Sequence, residues 1–180
     1  MKGTIWPQPL IVQADELADR DGTRGSVRMV DLRRAVSNAY YALFHTTSVC
    51  TAEWLLPNAT KDEQLALVRR FSHRSFRSVF ERINSPKAGK SAPHLQLMLV
   101  ALHENADIVV LAQTYVDLHD ARNKADYDHS ADLTRQEVLT LIDRSWLAIQ
   151  TITKAPKNQP DGDCERLFAC LAMTPGAQGR

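Results

Sequence analysis

Apolar residues recur along most of this chain at spacings of three, four and seven, the period of an α-helix that buries one face. Across residues 27–55 they are Leu32, Val36, Ala39, Leu43, Cys50 and Trp54, while Arg33, Arg34 and Glu53 fall on other faces. Across 93–128 the spacing is carried by Leu95, Leu97, Leu99, Leu102, Ile108, Val109, Leu111 and Val116. Glycine is scarce, and the eight prolines sit almost wholly at segment edges, which punctuates helices rather than strands. The pattern predicts five helices, over 9–20, 27–55, 61–84, 93–128 and 134–154. The last begins at Thr134-Arg135-Gln136-Glu137, which has the S/T-x-x-E form of a capping box, so that Ser130 to Leu133 turns the chain. Such faces are buried by packing on one another, and the expected fold is all-α, an up-and-down helical bundle of about five helices.

Composition sets the domain count. A chain of 180 residues, 44% of them hydrophobic, suits one domain large enough to bury a sizeable core. The bundle is expected over residues 1–154 and a linker and tail over 155–180. Ala155-Pro156-Lys157-Asn158-Gln159-Pro160-Asp161-Gly162 reads as that linker, ahead of a short apolar patch at Leu167, Phe168 and Leu171. Three cysteines, Cys50, Cys164 and Cys170, lack CxxC or Cys/His zinc spacing, so neither a disulfide framework nor a structural metal is indicated, and no cofactor is expected. No apolar run follows Met1-Lys2, and Ile108 to Ala112 is far too short to span a bilayer. A soluble, cytoplasmic protein is the expectation.

A net charge of +1 argues against wholesale coating of nucleic acid, but the charges are uneven. Residues 61–90 hold eight Lys or Arg against three acidic residues, and 104–144 hold four against nine. In the basic stretch Arg70, Arg74 and Arg77 are spaced by four and three with His73 alongside, the look of a phosphate-tracking stripe on a helix. In the acidic stretch Arg122 and His129 are seven apart. If the helix ran on, they would point within roughly 20° of each other, with Asn123 beside the first. A guanidinium holds phosphate oxygens in a fork and an imidazole moves a proton near neutral pH, a pairing suited to a phosphodiester. With 15 Arg and 6 His in the chain, chance alone supplies about one or two such pairs.

Corroboration lies in Asp31-Leu32-Arg33-Arg34-Ala35-Val36-Ser37-Asn38-Ala39-Tyr40-Tyr41-Ala42-Leu43-Phe44-His45, followed much later by Ala125-Asp126-Tyr127. Together these resemble the HEPN superfamily of small all-helical proteins, whose bacterial members carry a similar early helix and an Arg-polar-x(4 to 6)-His motif near the end of a later one. The resemblance covers roughly residues 10–153. It implies a dimeric bundle that cleaves RNA without a metal. Arg122, Asn123 and His129 match the motif residue for residue and are the implied catalytic set, with Lys124, Tyr127, Arg70, Arg74 and Arg77 as candidate RNA contacts. Asp126 and Asp128 flank the histidine and would raise its proton affinity if close in space. The implied context is a toxin or defence component, with RNA, a second copy of the chain and an antitoxin or nucleotidyltransferase as partners. The alternative is a non-catalytic helical module that binds a nucleotidyltransferase-like partner or RNA through the same groove.

Overall fold

A computed structural model describes residues 8–87, 92–128, 130–158 and 162–174, with the side chains of 155–158 left aside. Among the described residues the structure is all-helical: α1 (Gln8–Leu17), α2 (Met29–Leu55), α3 (Lys61–Val68), α4 (His73–Asn84), α5 (Pro93–Glu104), α6 (Ala106–Tyr127), α7 (Arg135–Asn158) and α8 (Asp163–Met173). The all-α expectation holds. There are eight helices among these residues rather than five, because two expected helices are broken and the tail supplies another.

The breaks have local causes. The span 61–84 divides at residues 69–72, where the Ser72 hydroxyl accepts from Ser75 N at 3.1 Å and starts α4 afresh. The span 93–128 divides at Asn105, whose Oδ1 accepts from Asp107 N and Ile108 N, and α5 and α6 meet there at 101°. Asn105 Nδ2 also donates to Asp163 Oδ2 at 2.8 Å, fixing the start of α8 to the same corner. The capping box at Thr134 forms as expected, with Thr134 N donating to Glu137 Oε2 and Glu137 N to Thr134 Oγ1.

Helix α2 runs through the centre and packs against α1, α3, α6, α7 and α8. Its predicted inward face is borne out, with Leu32, Val36, Ala39, Leu43 and Cys50 buried and Trp54 packed against the core. Ser145 of α7 donates to Ala39 O across a buried α2–α7 contact. Thr46, Thr47, Ser48 and Thr51 are buried on α2 without cost, since each hydroxyl bonds the carbonyl four residues back. On α5 the expected apolar face is only partly right: Leu99 and Leu102 are buried, but Leu97 is 73% exposed, because α5 turns away from the line of α6. The patch expected beyond the linker lies in the core. Cys164, Leu167, Phe168, Cys170 and Leu171 of α8 are all buried, and the Phe168 ring lies 6.0 Å from that of Trp54. No single described helix is long and apolar enough to cross a membrane.

Candidate functional site

Helices α2 and α6 are joined by residues one turn apart on each. On α2, Arg33, Ser37 and Tyr41 share a face. Tyr41 Oη accepts from Arg122 Nη2 at 2.8 Å, and Ser37 Oγ donates to Asp126 Oδ1 at 2.6 Å. Arg33 Nη1 donates to Ala125 O and Asp128 O, and its Nη2 donates to Ala131 O, at 2.8–3.0 Å. That guanidinium sits where the last carbonyls of α6 leave the helix and carry partial negative charge. The early helix and the later arginine segment are therefore parts of one interlocking surface, with Arg33 bracing the corner between α6 and α7.

Arg122 is held on every side. Its Nη1 donates to Asn123 Oδ1 at 3.0 Å, and its guanidinium carbon lies 5.4 Å from the ring centroids of both Tyr41 and Tyr127. Its Nε is 2.7 Å from Asp126 Oδ2, yet the N–H is not directed along that line, so the contact is ionic and the donor lacks an aligned partner. The side chain is 18% exposed. Each Nη makes one hydrogen bond to a described residue, and each carries two protons.

The same face continues through Asn123. Its Nδ2 meets His119 Nδ1 at 3.1 Å, and Arg77 Nη1 reaches that ring nitrogen at 2.8 Å from α4. Arg77 is itself balanced by Glu81 at 2.7 Å and by Asp120. Beyond His119, the Tyr40 hydroxyl lies 2.7 Å from His73 Nδ1 and 3.4 Å from the Tyr115 hydroxyl. Burial keeps Tyr40 protonated, pushing its hydroxyl up to about 12, and burial together with the Arg122 charge pulls His73 down to about 4. His119 is lowered as well, by burial first and then by the Arg77 guanidinium. Both shifts favour the neutral ring at pH 7. No group of three His, Cys, Asp or Glu side chains among the described residues is placed to hold a metal ion.

Of the residues singled out in the sequence, Arg122 and Asn123 come together, and Tyr127 joins them as a 70% exposed ring against the guanidinium. Lys124 is exposed on the opposite side of α6, where its carbonyl accepts from Asp128 N. His129 lies outside the described residues. Arg77 reaches the site through His119, but Arg70 does not share its helix. It sits in the turn after α3, whereas Arg74 is exposed on α4, so the expected stripe on one helix is replaced by a break. Asp126 is spent on Arg122 and Ser37, and Asp128 on Ser130. Sequence reasoning did not place Tyr41 or His119 at the site, and named His73 only as a neighbour of the Arg70, Arg74 and Arg77 stripe. For His119 a signal was present, since it precedes Arg122 by three and Asn123 by four, which is one face of a helix.

Set against known protein families, curated proteins and solved structures, the chain finds no match. What the fold defines is an all-helical protein with one arginine held in a tyrosine- and histidine-lined polar belt between α2, α4 and α6.

Proposed function

We propose that this chain is a metal-independent endoribonuclease of HEPN type, acting as a homodimer that brings two Arg122/His129 sets to one phosphate, in the setting of a toxin or defence system. The carrying observation is the Arg122 guanidinium, fixed by Tyr41 and Asn123, each Nη making one hydrogen bond among the described residues and carrying a second N–H. In the proposed reaction the RNA 2′-oxygen attacks its own phosphorus as the bond to the 5′-oxygen breaks, leaving a 2′,3′-cyclic phosphate. Arg122 stabilises the charge growing on the phosphoryl oxygens. His129 of one subunit takes the 2′-hydroxyl proton, and the partner's histidine supplies one to the 5′-oxygen.

The test is cleavage of varied single-stranded and structured RNAs in EDTA by protein free of contaminating nuclease. Arg122→Ala and His129→Ala are expected to lose about 10²- to 10⁴-fold in rate with the fold intact. Wild-type protein that leaves every RNA whole, or a His129→Ala variant that cuts as well as wild type, would overturn the enzyme reading.

A second reading, a non-catalytic module binding RNA or a nucleotidyltransferase-like partner, is favoured by one observation. The charge of Arg122 is already met by Asp126 within the chain. RNA binding without cutting would decide for it.

A further inference from the structure

The orientation of the Asn123 amide follows from its neighbours. Arg122 only donates, so the atom of Asn123 facing it is the oxygen and the amide NH₂ faces His119. Arg77, also a pure donor, approaches the same ring nitrogen. His119 Nδ1 thus accepts from two directions, and the ring proton resides on Nε2. Two donors and the Arg122 guanidinium oppose a second proton, against the pull of Asp120 Oδ1, which lies 3.5 Å from the same nitrogen; burial tips the balance to the neutral ring. His119 Nε2 makes no hydrogen bond to a described residue, although the side chain is 14% exposed and the ring is braced edge-on against Tyr40 at 5.5 Å. The result is a neutral N–H donor, fixed in tautomer, one turn from Arg122 on the same helix face.

We propose that His119 is a further phosphate-contacting residue of the Arg122 site, donating its Nε2 proton in a hydrogen bond to a non-bridging oxygen of the RNA phosphate. This rests on the ribonuclease reading for its substrate but not for its geometry. His119 keeps its proton throughout: the proton lost by the 2′-hydroxyl and the one gained by the 5′-oxygen pass through other groups, because the only lone pair of the ring is occupied. Asn123 and Arg77 are positioning residues that act through it. A preorganised donor of this kind strengthens as charge develops on the phosphoryl oxygens and costs no reorganisation when it does.

Glutamine offers the decisive substitution, since its amide carries an acceptor for Arg77 and Asn123 and an N–H donor where Nε2 stands, yet it moves no proton. In wild-type protein, imidazole nitrogen shifts are expected to show Nδ1 unprotonated and Nε2 protonated at pH 7 to 8. The Nε2 signal is expected to move on adding a 2′-O-methyl oligoribonucleotide, which cannot be cut. His119→Gln is expected to keep kcat/KM and oligonucleotide affinity within about threefold of wild type, whereas His119→Ala loses about 10- to 100-fold in kcat/KM. A protonated Nδ1, an Nε2 signal indifferent to the oligonucleotide, Gln and Ala variants equally impaired, or an Ala variant equal to wild type would each overturn the proposal. If wild-type protein cuts no RNA while Nε2 responds to the oligonucleotide, the ribonuclease reading falls and His119 stands as a phosphate contact.

Discussion

At the scale of single residues, the hydrogen bonds around Arg122 make its chemistry specific to a guanidinium. An ammonium at that position reaches one partner rather than Tyr41, Asn123 and Asp126 together, so Arg122→Lys is expected to be as inactive in RNA cleavage as Arg122→Ala. Tyr41→Phe removes only the acceptor for Nη2. A hydrogen bond to a charged group contributes about 1.5–3 kcal/mol, and urea unfolding of this variant is expected to register a loss at the low end of that range. His73 has a consequence for pH. Its folded value, about 4, lies below the ordinary 6.5, so on acidification the unfolded chain takes up the proton first. The stability it contributes is present at neutral pH and fades as the pH falls from about 7 to 4, and the depressed His119 adds in the same direction. Thermal unfolding across that range should show His73→Gln losing less stability on acidification than wild type; parallel curves would count against a neutral, half-buried His73.

At the scale of elements, the corner between α6 and α7 depends on a single cation from α2. Arg33 gathers the carbonyls of Ala125, Asp128 and Ala131, the second of which also accepts from Ala131 N. Helix α8 is an integral element rather than an appendage. Removing everything after Lys154 strips away five buried side chains, Cys164, Leu167, Phe168, Cys170 and Leu171, and exposes what they cover on α2 and α5. At about 1.5–3 kcal/mol for each large apolar side chain, the loss rivals the whole stability of a domain. The truncated chain is therefore expected to lose its cooperative thermal transition by circular dichroism, whereas cutting after Thr174 should preserve it. A truncation at Lys154 that melts like wild type would show that α8 contributes little.

At the scale of the whole molecule, the proposed reaction calls for a base and an acid on opposite sides of the phosphate, and one chain offers a single His129 for the purpose. Two copies supply both. Light scattering at micromolar concentration is expected to report twice the 20.2 kDa of one chain, and a mixed dimer of one wild-type and one His129→Ala subunit, left with a single histidine, should lose most of the wild-type cleavage. A stable monomer that cuts RNA would remove the composite site while leaving Arg122 and His119 in place.

The sequence by itself determined the helical class, the inward face of α2 and the capping box at Thr134, because helical periodicity and capping are local properties carried by side chains a few residues apart. It also singled out Arg122, with Asn123 beside it, as site residues. The breaks at Ser72 and Asn105 were legible in principle, as capping residues at fresh helix starts, but a continuing apolar period masked them. Only the tertiary structure decided what surrounds Arg122. Tyr41 lies 81 residues away, and Arg77 lies 42 residues from His119, so no local pattern records that they meet. The same holds for α8, whose apolar patch looks the same in sequence whether it docks or not. Its burial is a matter of which surface of α2 and α5 stands open to receive it, and packing between elements distant in the chain settles that.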